Sequence, residues 1–146
     1  MSERFTKGMA RNIYYGGSVF FFLIFLALTY HTTKVMPERD HRENITEAVV
    51  AGKHLWESNN CMGCHTILGE GAYYAPKLTK VVERRGPGYI KSVLMAKEWA
   101  PNGRKMVGYQ MTNQEAEDMV AFFTWIGEMD LNGFPAKPKY KIEKID

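Results

Sequence analysis

Cys61-Met62-Gly63-Cys64-His65 is the stretch with the most specific chemistry in the chain. Two thiols three positions apart can each form a thioether with one vinyl group of a haem, and the adjoining imidazole can bind the iron. Cys-x-x-Cys-His therefore reads as a c-type haem attachment site. The tether holds the porphyrin, His65 supplies one axial ligand, and the opposite face is left for a second ligand that tunes the potential. Other uses of paired cysteines fit less well. A thioredoxin-like pair follows a strand in a βαβ context, whereas the stretch before Cys61 has helical periodicity. A tetrahedral zinc site needs two further ligands, and the chain has only two cysteines. A disulfide across two intervening residues leaves His65 without a role.

The second ligand should be a thioether or another imidazole. His31, His41 and His54 all precede the motif, in an apolar span, a connector and a helix. Of the nine methionines, Met106 and Met111 lie just before the last helical pattern. A methionine is more often a core filler than a ligand. Met106, however, sits in the polar, glycine-containing run Gly103-Arg104-Lys105-Met106-Val107-Gly108-Tyr109, while Met111 abuts Thr112, where an apolar residue can staple a helix start. Met106 is preferred, with Met111 as the alternative.

Other elements must carry this site. Asn12 to Thr33 contains no Lys, Arg, Asp or Glu, and its centre reads Val19-Phe20-Phe21-Phe22-Leu23-Ile24-Phe25-Leu26-Ala27-Leu28. About 20 apolar residues suffice to cross a bilayer. Arg4, Lys7 and Arg11 precede the run with only Glu3 against them, a bias that keeps the arm cytoplasmic and sends the rest of the chain across the membrane. A cleavable signal peptide shares the basic start and apolar core. The run is long for that, and Leu28-Thr29-Tyr30-His31 is no small-x-small cleavage site. Tyr14, Tyr15 and Tyr30 sit near the ends, where interfacial aromatics belong. Gly16-Gly17 either allows close helix packing or is merely tolerated in lipid.

The 146 residues allow one globular domain beyond this anchor. A net charge of +3 gives no support to nucleic-acid binding. The organisation read from these signals is an N-terminal arm and transmembrane anchor over 1–33, a charged linker over 34–43, a haem domain over 44–130 and a tail over 131–146. Asn44 with Glu47 spells a capping box, and Ile45, Ala48, Val49, Gly52, Leu55 and Trp56 form a helical stripe leading to the motif. Gly69 to Gly71 reads as a turn, Tyr73 and Tyr74 as candidate haem walls, and Leu78–Arg84 as a short helix. Pro87 suits a helix start. Thr112 and Glu115 form a second capping box before Ala116, Met119, Val120, Phe123 and Ile126. That last helix is expected to cross the first at Gly52 and Trp56.

Helix, then motif, then Pro76-x-Leu78 resembles the class I cytochromes c. In that group the proline carbonyl accepts the other ring N–H of the ligand His, and such bonds set its tautomer and basicity. Class I chains usually carry Met-Pro at the second ligand; here Val107 replaces the proline. The implied fold is all-α: a single N-terminal transmembrane helix followed by a class I cytochrome c domain. The run from Cys61-Met62-Gly63-Cys64-His65-Thr66-Ile67-Leu68-Gly69-Glu70-Gly71-Ala72-Tyr73-Tyr74-Ala75-Pro76 is more specific. With Lys7-Gly8-Met9-Ala10-Arg11-Asn12-Ile13-Tyr14-Tyr15-Gly16-Gly17, it resembles the cytochrome c subunits of bacterial, cytochrome-c-dependent nitric oxide reductases. The likeness spans most of residues 5–126 and weakens at Met106-Val107 and after Glu128.

That resemblance implies one covalent haem c held by Cys61 and Cys64, with His65 and Met106 on the iron. It implies a single-pass protein of the bacterial inner membrane, with its haem domain facing the periplasm. Electrons would come from a soluble cytochrome c or cupredoxin and pass to a large haem-containing membrane subunit, where two NO become N2O. It also places Gly71–Tyr73 against that subunit, where a calcium ion can sit in contact with Gly71 or Tyr73; the local sequence has no carboxylate cluster to demand one. Two other classes remain: a free-standing membrane-anchored electron carrier, and an enzyme whose haem has an open face.

Overall fold

The computed structural model describes residues 5–100, 103 and 105–134. The chain divides into two units, Met1–Glu38 and Arg39–Asp146. The first is nearly all contained in helix α1, Lys7–Arg39, which buries none of its residues and has a mean hydropathy of 1.7 over its most apolar window. A helix that is apolar all round and covered by nothing belongs in lipid. Its length corrects one expectation: the stretch from Lys34, read as a connector, stays helical to Arg39 with Pro37 inside. Pro37 has a helical φ but no N–H to donate to the Thr33 carbonyl, and the helix ends two residues later at Arg39.

In the second unit the first long helix, α2, runs Glu47–Ser58. Its cap is Thr46, not the expected Asn44. Thr46 is extended (φ −98°, ψ 170°) and its Oγ1 accepts the Val49 N–H at 3.3 Å. Asn44 ends a 3-10 turn over Arg42–Asn44, and its amide donates to Glu128 at 3.3 Å. Ile45 thereby leaves the stripe and is exposed, while Val49, Gly52 and Trp56 are buried.

After α2 come a 3-10 turn over Cys61–Gly63 and a minimal antiparallel hairpin, β1 Thr66–Ile67 and β2 Glu70–Gly71. Helix α3 spans Val81–Arg85, starting three residues later than expected, and α4 spans Pro87–Met95 with proline in its first turn. Helix α5, Asn113–Glu128, opens on the anticipated reciprocal Thr112–Glu115 capping box. The box's hydrogen bonds hold the Glu115 carboxyl below its usual range.

The core lies between α2 and α5, with α3 and α4 closing it. Ala116, Met119, Phe122, Phe123 and Ile126 are buried along one face of α5. Trp56 meets Phe123 edge-on at 5.7 Å between ring centroids. At Gly52 the two backbones come so close that a Cβ would overlap the Asp118 carbonyl and lie 2.8 Å from the Phe122 Cβ. Ala is the better helix former by about 1 kcal/mol, but here the overlap decides the sign. Gly52→Ala is expected to destabilise the domain by about 1–3 kcal/mol, lowering Tm by about 4–8 °C per kcal/mol. Thermal unfolding of the haem-loaded chain checks this; an unchanged or raised Tm would show that the helices separate freely.

Candidate haem site

The motif and its partners converge on one cleft. Cys61, His65 and Met106 line it together with Trp56, Leu78, Val81, Tyr89, Ile90, Val93, Leu94, Met119 and Phe123. Its walls are almost wholly apolar side chains. Residues 41 positions apart, His65 and Met106, thus bring an imidazole and a thioether to one apolar chamber.

Each group is held by its local backbone. The turn after Asn60 is closed by Cys64 N–H and His65 N–H, which both donate to the Cys61 carbonyl at 3.2 and 2.9 Å. The following loop folds back onto the motif: Ala72 N–H donates to Met62 O and Ala75 N–H to Cys64 O, each at 2.9 Å. Gly71, at φ 112°, permits this return, since a Cβ there would overlap the His65 carbonyl. The loop delivers the Pro76 carbonyl to His65 Nδ1 at 2.8 Å. That contact assigns the proton to Nδ1 and leaves Nε2 as a lone-pair donor for a metal.

Met106 N–H donates to Trp99 O at 2.7 Å, forming an isolated bridge. Tyr89 packs edge-on against Trp99 at 5.6 Å. Met111 is placed differently. It is buried in the core outside the cleft, with its N–H on Leu94 O at 3.1 Å.

The thiols differ in environment. Cys61 is buried and Cys64 exposed. Burial pushes the Cys61 thiol up to about 11, and the neighbouring Tyr109 phenol is raised by its own burial and the adjacent thiols. Thiols that work as thiolates are shifted down, not up, so this setting does not suit disulfide exchange. Among the described residues no three His, Cys, Asp or Glu side chains gather as a metal cluster.

The fit to haem rests on this chamber: apolar walls, one nitrogen with its proton fixed elsewhere, one thioether and a cysteine at the lip. The indole N–H of Trp56 is buried without a partner among the described residues. Tyr73 and Tyr74, expected as walls, are exposed and do not line the cleft. Their places are taken by Trp56, Tyr89 and Phe123, whose aromatic character was visible in the sequence but whose facing depends on the helix crossing. Of the histidines before the motif, His54 borders an open groove between α2 and α5 that holds neither cysteine nor methionine, His41 pairs with Glu43, and His31 lies on α1. Arg104 and the tail from residue 135 lie outside the described residues.

Known proteins resemble this chain over most of its length. The family model described as cytochrome c matches residues 49–126. The C subunit of the nitric oxide reductase of Stutzerimonas stutzeri is 51% identical, over 92% of this chain and 97% of the relative. Those of Halomonas halodenitrificans and Paracoccus denitrificans are 43% and 42% identical, over 94% and 92% of this chain and 99% and 97% of the relatives. A cytochrome c domain implies covalent haem c, and the chain belongs to the family of nitric oxide reductase C subunits, c-type cytochromes, here anchored to the membrane by one apolar helix.

Proposed function

We propose that this chain relays single electrons from a soluble periplasmic donor to the catalytic subunit of a nitric oxide reductase. The observation that carries the proposal is the convergence of Cys61, His65 and Met106 on one apolar cleft. One haem would be tethered by Cys61 and Cys64, and His65 Nε2 and the Met106 sulfur would hold its iron. When bound, it supplies a one-electron iron couple. The chain supplies the rest. The cysteines fix the group's position, and the Pro76 carbonyl holds the His65 proton and raises the imidazole's basicity. Met106 favours the reduced state relative to a harder ligand. The apolar walls keep water away, so that little reorganises when charge changes.

The basic residues before the apolar helix support a cytoplasmic arm, with the haem domain in the periplasm. Reduction of two NO to N2O consumes two electrons and takes place in the partner subunit, so this chain delivers twice per turnover. Gly71, on β2, and Tyr73 are both exposed, consistent with a face toward that partner. No carboxylate cluster accompanies them among the described residues. A calcium ion at that junction would draw most of its ligands from the partner, with Gly71 and Tyr73 as this chain's contacts.

Charge supports the entry of a soluble donor. Between residues 77 and 105 bases outnumber acids. Lys91 pairs with Glu117 and Lys105 with Glu98, while Lys77, Lys80 and Lys97 have no carboxylate partner among the described residues. Lys77 adjoins Pro76, and Lys97 lies on the segment packed against Gly108 of the Met106 loop. Steering of an acidic donor by these charges is screened over about 10 Å at 0.1 M salt. The second-order rate of haem reduction by a soluble acidic cytochrome c, followed by stopped flow, should fall as salt rises. In the doubly reversed Lys77→Glu, Lys97→Glu chain that slope should flatten. Absence of electron delivery would remove the relay reading, whereas delivery independent of salt in both proteins would place the donor on an apolar patch.

A further inference from the structure

Arg84 has no place in the site as described, yet both arms of its guanidinium are spent on main-chain carbonyls. Nη2 donates to Lys77 O at 2.6 Å and Nη1 donates to Thr79 O. Those carbonyls belong to the four-residue segment Pro76–Thr79, which begins with the carbonyl that holds His65 Nδ1. The same segment is tied to the β1 hairpin, by Leu78 N–H to Thr66 O at 2.8 Å and by Leu68 N–H to Thr79 Oγ1 at 2.8 Å. Arg84 is the one side chain among the described residues that bonds to carbonyls immediately following Pro76. It reaches them from α3, an element otherwise outside the motif loop.

We infer that Arg84 is a positioning residue: by clasping Lys77 O and Thr79 O it aims the Pro76 carbonyl at His65 and so sets the reduction potential. The inference rests on His65 being the iron ligand, as proposed above. A planar fork gripping two carbonyls fixes a chain direction in a way that a single point charge cannot. A firm bond at Nδ1 makes the imidazole more electron-donating and favours the oxidised iron. Loosening it therefore raises the potential. Simple removal of a nearby positive charge acts oppositely, because that charge favours the reduced state.

The two effects are separated by Arg84→Lys, which keeps the charge and loses the fork, and Arg84→Gln, which loses both. The full-length, haem-loaded chain in detergent, carrying 15N-histidine, is compared in its ferrous state with both variants. In the unsubstituted chain the His65 Nδ1–H signal should show the displacement of a ring bound to haem iron. In Arg84→Lys the potential should rise and that proton should exchange with solvent about tenfold faster. The potential of Arg84→Gln should lie below that of Arg84→Lys, since the lost charge offsets the rise. An Arg84→Lys chain with unchanged potential and unchanged exchange, its His65 signal still displaced, overturns the role of Arg84 alone. Absence of the displaced signal from the unsubstituted chain overturns instead the assignment of His65 as the ligand.

Discussion

Replacing Cys61 and Cys64 together by Ala is expected to abolish covalent haem completely, read as loss of haem staining on a denaturing gel. Each thiol can hold one vinyl carbon, and the chain contains no other cysteine to substitute. His65 and Met106 would remain in the cleft and can still bind iron, but a coordinate bond does not survive denaturation as a thioether does. The double variant should therefore retain at most a haem that dissociates on the gel. Either single variant should keep one link and reduced staining. The two are not equivalent in the fold: Cys61 lines the cleft, whereas Cys64 is exposed at the end of the 3-10 turn. Loss of Cys61 should lower the yield more, because its sulfur is already beside the chamber where the vinyl must arrive. Staining that persists in the double variant would remove thioether attachment at these residues.

Much of this arrangement was legible in the residues, and the limits were physical. The α5 start was readable because the Thr112–Glu115 box is closed by two side chains three positions apart, a local interaction. The α2 start was misplaced because Asn44 and Thr46 are both good caps. The choice is made by Glu128, 84 residues away, which takes the Asn44 amide. Trp125 acts at the same place, donating from its indole to the Asp40 carbonyl at 2.8 Å. The crossing at Gly52 was readable because a glycine four residues before Trp56 on a buried stripe permits close approach, and the backbones do meet there. Tyr73 and Tyr74 were misjudged because residue type does not say which way a loop side chain faces. Arg84 could not have been singled out, since its partners are carbonyl oxygens that every residue possesses.

Met106 and Met111 are expected to separate cleanly when each is replaced by Ala, one by spectrum and the other by stability. Met106 lines the same cleft as the fixed imidazole, on a loop pinned by its own N–H to Trp99 O. Its thioether is the available sulfur ligand there, apart from Met119, which is fully buried on α5 among the core side chains. Met106→Ala should lose the ferric absorption band near the red edge of the visible that marks methionine–iron ligation. Its potential should fall by on the order of 0.1–0.3 V, within the ~0.8 V range that axial ligands control, because a thioether stabilises the reduced iron. Folding should suffer little, since the Met106 side chain is only half-buried. Met111 is 6% exposed and packs in the core just before the Thr112 cap. Met111→Ala should keep both band and potential and cost about 2–5 kcal/mol of stability. The measurements are the ferric spectrum, a redox titration and denaturant unfolding on each haem-loaded variant. Loss of the band in Met111→Ala with its retention in Met106→Ala would exchange the roles. Retention in both would move the second ligand elsewhere in the cleft, with Met119 the next sulfur to replace.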